Sequence, residues 1–404
     1  MFQFQRSKEK STRIEQNAEI LKIIIYNPNS FGGNFNYIHE LLLEIVNQKI
    51  VEEVILLLPK NSKLLLPLNS SKYLLADKVN TNNLIIRKLY FLLRSFVNPL
   101  KLFWLLIKTE SSYLLWNDFD QMSAPLTSWL FKFLKKKHVF SVILHDPDRD
   151  SYLSSKFFSI YTMVKFMSII DIAFYHEVLP QKIYYNRNIV EFVGIPHGIY
   201  PACKSNLYFK NSLKNELGNF NVLTIFGNIR HEKNYDQIIK ILPHILNIKL
   251  IIAGALANSS IETGEYKKLA ISLGVQDRII WLEKYHEPEE VASIMECTDI
   301  GIMFYKETFK SQSGVLNVYA PYKKPIIVSN IESGLTEVVK KYNLGKIVDL
   351  HDEKMLISSI YELIHNSFDE TGWWQYYEYA SWKSSAKIIC NSIDSKSKKF
   401  NEII

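Results

Sequence analysis

The sequence predicts an α/β fold, with a doubly wound parallel sheet in its second half and a buried first strand that opens its first half. Short continuous apolar runs alternate with amphipathic helical patterns from residue 221 to residue 365, which is typical of parallel strands covered on both faces. A further buried strand pattern, Leu21–Tyr26, opens the first half of the chain. A length of 404 residues accommodates two domains of ordinary size and a terminal extension.

The predicted domain bounds follow breaks in this pattern. Residues 1–20 form a polar extension without an apolar core, so no secretory signal is expected there. The first domain is predicted over 21–205 and the second over 206–370, with the break near Pro201, where polar residues interrupt the periodicity. Residues 371–404 form an aromatic-rich segment that leads into a helical tail.

The second half provides the clearest series of elements. Strands are predicted at 222–226, 249–253, 278–282, 300–304, 326–328 and 346–348. Helices are predicted at 235–246, 266–273, 287–296, 335–341 and 353–365. Because such sheets bind ligands beyond the carboxyl ends of their strands, we expect a site at the loops that follow residues 226 and 304.

The loop after the strand at 300–304 carries the most informative residues. It runs through Ser311, Gln312, Ser313 and Gly314 into a helical pattern that starts at Val315. A helix that begins on small residues leaves its first N–H groups unpaired and open to a phosphate. The loop therefore predicts a diphosphate site, although similar turns occur in α/β proteins without a ligand.

The loop after the strand at 222–226 adds positive charge at the same sheet edge. Gly227 is followed by Arg230 and Lys233, just before a predicted helix. A guanidinium and an ammonium group suit a diphosphate that becomes a leaving group. Solvated cations at a helix start are the alternative interpretation of each residue alone.

The first half contains a glycine pair after its first strand. Gly32 and Gly33 permit a close approach of the backbone to a ligand, and a plain tight turn is the alternative. The pattern is not the dinucleotide fingerprint, and no acidic residue lies at the required place after it, which disfavours an NAD-dependent dehydrogenase.

Two histidines follow predicted strands in this half. His145 ends the strand at 139–144, where a neutral imidazole can donate one hydrogen bond and accept another. A structural role as a strand-end cap is equally open for His145. His197, in the segment Ile195-Pro196-His197-Gly198, is expected to fix backbone or packing rather than to catalyse.

Several motifs in order resemble the family-4 retaining glycosyltransferases of the GT-B fold. They are residues 227–236, 251–254, 273–275 and 277–279, and the Ser-Gln-Ser-Gly-Val-Leu loop at 311–316 with the downstream Lys-Pro pair at 324–325. The resemblance covers about residues 221–349 and points to the branch with a Gln-Ser-Gly-Val loop. It implies two Rossmann-like domains facing a cleft and a helical tail that crosses back to the first domain.

The resemblance also implies an activity, namely transfer of a sugar from a nucleoside diphosphate sugar to a carbohydrate or lipid-linked acceptor with retained configuration. No cofactor and no metal are expected, and the donor is the substrate. Lys233 occupies the family's diphosphate-contacting position, Gly32 and Gly33 resemble its glycine loop, and a histidine placed like His145 contacts the donor sugar.

The sequence departs from the family at three positions. Many members carry an arginine directly after the glycine, where this chain has Asn228. Two glutamates that flank the phosphate loop in many members correspond to Lys310 and Val318, so ribose recognition has no assigned residue. Glu307 is a candidate replacement for the first acid, with a solvated loop residue as the alternative.

Metal binding and redox chemistry have weak signals. Asp-x-Asp triplets occur at 118–120, 146–148 and 148–150, but such short patterns arise by chance, and cationic diphosphate loops reduce the need for a metal. Cys203, Cys297 and Cys390 lack ligand spacing and an even count, which fits a reducing compartment.

A basic and aromatic segment raises the question of membranes. Cations at positions 87, 94, 101 and 108 recur every seven residues, so a helix would align them as one loose stripe beside aromatic residues, with Pro99 bending or splitting it. A second patch contains Trp129, Phe131, Phe133 and the lysines at 135–137. Such patches suit an interfacial helix on anionic lipid, with core helices as the alternative.

These observations predict a cytoplasmic enzyme of surface polysaccharide or glycoconjugate synthesis, with peripheral attachment to the inner face of the plasma membrane as a hypothesis. A net charge of +7 agrees with an anionic surface, whereas the basic residues lie among aliphatics, which disfavours nucleic acid. A nucleotide-sugar epimerase of the same fold and a non-catalytic sugar-nucleotide or glycan-binding homologue remain alternatives.

Overall fold

A computed structural model describes residues 21–62, 70–150, 152–153, 155–257 and 261–401. The predicted extension at 1–20 lies outside the described residues. Two compact units make up the chain. Unit 1 comprises the chain up to Tyr175, Leu179–Ile195 and the segment from Trp382 onward, and unit 2 comprises His176–Val178 and Pro196–Ser381. The predicted bounds at 205 and 370 stay a prediction.

Unit 1 is built around a parallel sheet. Its described strands are β1 Leu21–Tyr26, β2 Val51–Pro59, β3 Ser70–Leu74, β4 Ser112–Trp116, β5 His138–Leu144, β6 Ile172–Tyr175 and β7 Glu191–Gly194. They lie in the order β3-β2-β1-β4-β5-β6-β7. Its helices are α1 Gly33–Val46, α2 Leu84–Lys108, α3 Ala124–Leu134, α4 Lys156–Met167 and α13 Trp382–Asn401. Strands β4 and β5 are buried along their whole length, as expected for a sheet covered on both faces.

Unit 2 repeats this plan. Its described strands are β8 Asn221–Phe226, β9 Ile248–Ala253, β10 Ile279–Leu282, β11 Ile300–Met303, β12 Ile326–Ser329 and β13 Gly345–Val348, in the order β10-β9-β8-β11-β12-β13. Its helices are α5 Leu207–Leu217, α6 Tyr235–Ile241, α7 Gly264–Ser272, α8 Pro288–Glu296, α9 Leu316–Tyr319, α10 Gly334–Tyr342, α11 Glu353–His365 and α12 Thr371–Tyr379. The prediction of two doubly wound domains is confirmed.

The strand order places a topological switch point in each sheet. In unit 1 the chain leaves β1 toward one side and β4 toward the other, and in unit 2 the same reversal separates β8 from β11. Ligands of doubly wound sheets bind in the crevice that opens at such a point. The loops after β1 and β4, and those after β8 and β11, are therefore the positions that the fold offers for binding.

The C-terminal tail divides between the two units. Helix α12 belongs to unit 2, where Trp373 and Tyr376 are fully buried. Helix α13 belongs to unit 1 and packs on α1, with the rings of Trp382 and Tyr37 in edge contact at 4.9 Å. The predicted return of the tail to the first domain is thus made by α13 alone.

Helix α2 does not present the predicted stripe of four cations to solvent. Arg94 donates to the carbonyl of Asp77, and the ammonium of Lys101 donates to the carbonyl of Tyr73, so both side chains turn toward the body of unit 1. Arg87 and Lys108 are exposed. The predicted stripe is therefore wrong about the middle of the helix, because carbonyl groups of a neighbouring segment bind its two middle cations.

The second predicted patch is also divided. Trp129 and Phe133 of α3 are exposed, whereas Phe131 is buried against Trp116 and Phe140. Lys135 forms an ion pair of 2.8 Å with Asp171. The alternation follows from the amphipathic character of α3, since residues two positions apart lie on opposite sides of a helix.

Candidate functional site

The two predicted phosphate loops of unit 2 meet at its switch point. Gly227 follows β8 with a φ of 91°, a positive value that glycine adopts readily. A Cβ at this position would lie 2.8 Å from Val315 Cγ2 and 3.3 Å from Lys233 Nζ. The backbone after β8 therefore touches the Ser311–Val315 loop directly, which only a residue without a side chain permits.

Lys233 lies under the turn that Gly227 begins. Its ammonium donates to the carbonyl oxygens of Phe226 and Gly227, the latter at 2.8 Å. The side chain is buried, and burial lowers the pKa of Lys233 well below its ordinary value, with the charge of Arg230 lowering it further. Lys233 is thus held by the loop, rather than extended into solvent as a mobile charge.

Arg230 and Tyr305 connect the two loops. The Tyr305 hydroxyl lies 3.1 Å from Ser313 Oγ, and the Nε of Arg230 is buried without a hydrogen-bond partner among the described residues. Burial raises the pKa of Tyr305, while its hydrogen bond with Ser313 and the charge of Arg230 oppose the rise. Arg230, displaced by three residues from the glycine, therefore reaches the serine loop through Tyr305.

The Ser311–Val315 loop offers several backbone donors. Among the described residues, the N–H groups of Gln312, Ser313, Gly314 and Val315 donate to no other group. Ser313 has a φ of 65°, a left-handed conformation that a non-glycine residue adopts rarely. The helix that follows, α9, has four residues and continues into a 3-10 turn at Ala320–Tyr322. Unpaired N–H groups at one turn form an anion-binding concavity.

A buried chain of polar side chains supports this loop from below. Gln312 Nε2 donates to the Tyr376 hydroxyl at 2.9 Å, which donates to Asn317 Oδ1 at 2.6 Å. Asn317 Nδ2 in turn lies 2.8 Å from Nδ1 of His197. Burial lowers the pKa of His197 to about 4, so its ring is neutral at physiological pH. His197 is thus buried and bonded within this chain of side chains, and its role as a packing or backbone-fixing residue stays a prediction.

The predicted substitute for the missing glutamate is not engaged. Glu307 is exposed, and within the described residues it forms no hydrogen bond or ion pair. Lys310 pairs loosely with exposed Glu332 at 3.4 Å. The position of Glu307 favours a solvated loop residue in this conformation, and its role as a donor contact stays a prediction.

In unit 1 the glycine pair and His145 lie near one buried amide. Gly32 has a φ of 87° and precedes α1, and a Cβ on either glycine would meet no atom within 4 Å. Asn117, which follows β4, donates from its side-chain Nδ2 to the carbonyl of Asn34 at 2.8 Å. The Oδ1 of Asn117 lies 3.0 Å from His145 Nε2. The fold thus brings the glycine loop and His145, predicted separately, to the same switch point.

The Asp-x-Asp triplets are occupied by protein groups. Lys182 places its ammonium 2.8 Å from Asp148 and 2.9 Å from Asp150. Asp118 accepts from the side chains of Asn29 and Asn34, and Asp120 accepts from the Tyr26 hydroxyl. Burial raises the pKa of Asp120 to about 7. No cluster of three potential metal ligands occurs among the described residues.

Sequence reasoning missed the polar residues that hold the site together. Asn117 and Asn317 carry no motif, and Tyr376 lies in the tail, far along the chain from Gln312. A signal existed for Asn117, since it directly follows a buried strand as His145 does. No local signal pointed to Asn317 or Tyr376, because their partners are decided by packing.

A protein-family comparison matches the second half of the chain. Residues 209–380 fit the model described as glycosyl transferases group 1. A D-inositol 3-phosphate glycosyltransferase of Corynebacterium efficiens is 29% identical over 126 residues. That alignment covers 31% of this chain and spans 28% of the relative's length.

Solved structures resemble the whole chain. Sucrose-phosphate synthase of Thermosynechococcus elongatus has a TM-score of 0.66 at 13% identity, over 94% of this chain and all of that one. WaaG, a glycosyltransferase involved in lipopolysaccharide biosynthesis, has a TM-score of 0.61 at 14% identity, over 93% and 99%. Anabaena HepE, solved in complex with UDP, has a TM-score of 0.63 at 13% identity, over 95% and 100%. These likenesses establish the GT-B fold, which the sequence predicted.

Proposed function

We propose that this chain, whose residues 209–380 match the family model described as glycosyl transferases group 1, transfers a sugar from a nucleoside diphosphate sugar to a carbohydrate or lipid-linked acceptor. One observation carries the proposal. At the switch point of unit 2, unpaired N–H groups of the Ser311–Val315 loop lie against a glycine turn that holds Lys233 and is followed by Arg230. Backbone donors and two cations at one place suit a diphosphate.

The donor substrate follows from this chemistry. The anion must be small enough to enter a loop lined by backbone, and it must carry charge that two cations can neutralise. Anabaena HepE has been solved with UDP and with UDP-glucose, which supports a nucleoside diphosphate sugar as the donor here. The binding residues that we propose are Gly227, Arg230, Lys233, Ser311, Gln312, Ser313, Gly314 and Val315, with Gly32, Gly33 and Glu307 as further contacts.

The proposed reaction replaces the diphosphate at the anomeric carbon by an acceptor hydroxyl. The bond to the diphosphate oxygen breaks, and Lys233, Arg230 and the loop N–H groups stabilise the charge that this oxygen gains. The acceptor oxygen forms the new bond, and its proton passes to the departing diphosphate oxygen. Retention of configuration and membership of family 4 rest on the Gln-Ser-Gly-Val resemblance, and His145 is the proposed contact to the sugar.

No cofactor or metal is included in this proposal. The Asp-x-Asp carboxylates already bind Lys182, Asn29, Asn34 and Tyr26, so a divalent ion would have to displace these partners. The diphosphate charge has cationic and amide donors of its own. Metal-independent transfer, of the hexosyltransferase type, is therefore the form that we propose.

A lipid-facing surface is the second part of the proposal. Neighbouring helices α2, α3 and α4 pack their inner faces on the core of unit 1 and expose large apolar side chains on their outer faces. The exposed apolar residues include Leu84, Ile85, Leu89, Leu93, Trp104, Leu126, Trp129, Phe133 and Phe157. An apolar area of this extent on one side of a protein marks an interaction site.

Charge decides which partner suits that surface. Helices α2, α3 and α4 contain no aspartate or glutamate, and Arg87, Lys88, Lys108, Lys132 and Lys156 are exposed on them. Apolar side chains bordered by cations fit the interface of an anionic bilayer. We therefore propose a cytoplasmic enzyme held peripherally on the inner face of the plasma membrane, acting in surface polysaccharide or glycoconjugate synthesis.

Helix α2 also meets the length and hydropathy of a membrane span, the one helix of the described residues to do so, with 28% of its most apolar window buried. Its buried residues recur along one face, at Ser95, Asn98, Leu102 and Leu106. Since core helices pass the same test of composition, the packed face supports an interfacial helix better than a spanning one.

Donor binding and turnover test the enzymatic proposal. UDP-, GDP- and ADP-sugars are titrated calorimetrically into the full chain, and the products of incubation with acceptor glycolipids are identified by mass spectrometry. We expect one nucleotide class to bind and its sugar to appear on an acceptor. Conversion of the donor into an isomeric nucleotide sugar would favour the epimerase, and tight binding without turnover would favour a non-catalytic homologue.

A further inference from the structure

The side chain of Asn117 lies at the centre of the unit 1 switch point. It is fully buried at the end of β4, and its backbone N–H donates to the carbonyl of Tyr26 at 3.0 Å. Its amide group touches both the loop that contains Gly32 and Gly33 and the ring of His145. No motif or comparison assigns a role to this residue.

The orientation of the amide follows from two backbone carbonyls. Asn27 Nδ2 donates to the carbonyl of Asn29 at 2.8 Å, so Asn27 presents its Oδ1 to Asn117. Asn117 Nδ2 donates to that Oδ1 at 2.9 Å and to the carbonyl of Asn34 at 2.8 Å. Backbone carbonyls only accept hydrogen bonds, so neither amide can be turned around without losing its partners.

This orientation fixes the proton of His145. Asn117 Oδ1 lies 3.0 Å from His145 Nε2, and an amide oxygen only accepts. Nε2 must therefore carry a proton, and in the neutral ring Nδ1 is the acceptor nitrogen.

The same network fixes the glycine loop on both sides. Asn34 follows the glycine pair and Asn29 precedes it, and both side chains donate to Asp118 Oδ2, at 3.1 and 2.9 Å. Asp118 directly follows Asn117 in the chain. Two consecutive residues at the end of β4 thus hold the loop between β1 and α1 and, through Asn117, the end of β5.

We propose that Asn117 is a positioning residue that joins the glycine loop to His145 and holds the His145 ring, with Nε2 protonated, in a fixed orientation for contact with the substrate. The inference rests on the proposed function for the identity of the substrate, but not for the hydrogen bonds.

Histidine proton signals test the hydrogen bond without any substrate. In deuterated protein labelled with 15N-histidine, His145→Gln identifies the signal. We expect a slowly exchanging proton on Nε2 of His145 in the wild type and in Asn36→Asp, a change at an exposed asparagine of α1. The signal should vanish in Asn117→Leu. A wild-type proton on Nδ1, or an unchanged signal in Asn117→Leu, overturns the assignment.

A second variant separates the two contacts. Asn117→Asp keeps an acceptor for His145 and replaces the donor end by an oxygen that faces two other oxygens. It should retain the Nε2 proton signal while the amide signals of Gly32 and Gly33 shift and broaden. Unchanged glycine signals would show that Asn117 does not hold the loop. This variant also provides a measurement if Asn117→Leu does not fold.

Transfer assays test the consequence for activity. A misplaced contact group costs about 10²-fold, so kcat/KM of folded Asn117→Leu should fall by that factor while Asn36→Asp stays within twofold of the wild type. Equal transfer by Asn117→Leu, with its proton signal lost, overturns the positioning role. A wild type that transfers no sugar would contradict the proposed function instead, and the proton signal would still test the hydrogen bond.

Discussion

At the scale of single residues, burial changes what a charged side chain can do. Lys233 was expected as a mobile charge, yet its ammonium is bound to two carbonyls of the turn that it follows. A buried ammonium is stabilised by any anion that enters its surroundings, because the low dielectric strengthens their attraction. The position therefore suits leaving-group stabilisation more than capture of substrate from solution.

The first prediction concerns Lys233→Met, which removes the charge and keeps most of the aliphatic volume. Loss of one charge-stabilising group in a dry site reduces kcat/KM by about 10²-fold or more, and Arg230→Ala should have a smaller effect because of its displaced position. Steady-state kinetics measure both. Lys240→Met, on the exposed surface of α6, is the matched control. Normal turnover by folded Lys233→Met would show that Lys233 does not stabilise the leaving diphosphate.

The second prediction concerns His197 and pH. Its pKa of about 4 in the folded state lies below the ordinary 6.5, so between these values the unfolded chain binds a proton that the folded chain does not. Stability therefore falls as pH falls from about 6.5 toward 4. The groups whose rings face His197 are His176 and Tyr200, at 5.2 and 5.8 Å.

Urea unfolding at pH 7 and pH 5 measures this effect. The wild type should lose about 2 kcal/mol more than His197→Gln over that interval, as the linkage relation gives for a pKa of about 4 against 6.5. His351→Gln, at an exposed histidine of unit 2, should follow the wild type. Parallel losses in all three proteins would show that His197 is protonated in the folded state as readily as in the unfolded chain.

At the scale of elements, two loops of unit 2 pack against each other at the proposed phosphate site. The turn after β8 and the loop after β11 touch at Gly227 and Val315, where a methyl group would come within 2.8 Å of the valine side chain. The positive φ of Gly227 adds backbone strain for any other residue. The steric contact and the backbone strain therefore both oppose a side chain at position 227.

The third prediction is a double-mutant cycle. Gly227→Ala should destabilise the protein by about 1–3 kcal/mol and weaken UDP binding, because overpacking and left-handed strain are imposed together. Val315→Ala should relieve the steric part, so the double variant should be more stable than additivity gives. Thermal unfolding and calorimetry supply the values. Strictly additive effects would contradict the direct contact of the two loops.

Helix α2 shows how an element can serve core and surface together. Its middle cations bind carbonyls of unit 1, while the cations at its two ends remain exposed beside apolar side chains. The attraction to lipid that we propose is therefore assigned to Arg87, Lys88 and Lys108, in place of positions 87, 94, 101 and 108.

The fourth prediction follows from that correction. Changing Arg87, Lys88 and Lys108 to Gln should weaken binding to vesicles of anionic phosphatidylglycerol by about 10²-fold, since each cation near such a surface contributes about 1 kcal/mol. Co-sedimentation measures the loss, and salt should weaken wild-type binding similarly. The control changes exposed lysines of unit 2, Lys268, Lys340 and Lys354, to Gln. Equal binding by both triple variants would contradict the membrane surface.

At the scale of the whole molecule, each unit carries the same strand order and offers its own switch point. Carboxylates are numerous near the switch point of unit 1, and they are paired with amides, a hydroxyl and Lys182. Cations and amides are numerous near that of unit 2. Because the carboxylates of unit 1 are already paired and unit 2 supplies cations, we expect sugar transfer to need no metal ion.

The fifth prediction is that excess chelator leaves sugar transfer within about twofold of the untreated rate, because the diphosphate is met by N–H groups and cations. Initial rates with and without EDTA measure the effect. Loss of activity that Mn²⁺ or Mg²⁺ restores would instead direct attention to Asp148 and Asp150, and Lys182→Met would then be expected to strengthen metal binding.

The sequence by itself determined the fold class and the location of the two loops that we propose as the phosphate site. Buried parallel strands are short and continuously apolar, and their loops need small or cationic residues, so β8, β11, Gly227 and Ser311–Gly314 are all visible as local patterns. The predicted bounds of α11 agree with the structure at both ends. Local composition is sufficient wherever a residue's role depends on its neighbours along the chain.

Only the tertiary structure decided which side chains meet. It joined Gln312 to Tyr376 across 64 positions and Asn117 to Asn27 across 90, and it turned Arg94 and Lys101 away from the predicted stripe. Buried polar groups must find hydrogen-bond partners, and those partners are set by the order of strands and the packing of helices rather than by sequence spacing. The motifs therefore indicated where the site lies, but they could not predict which side chains meet there.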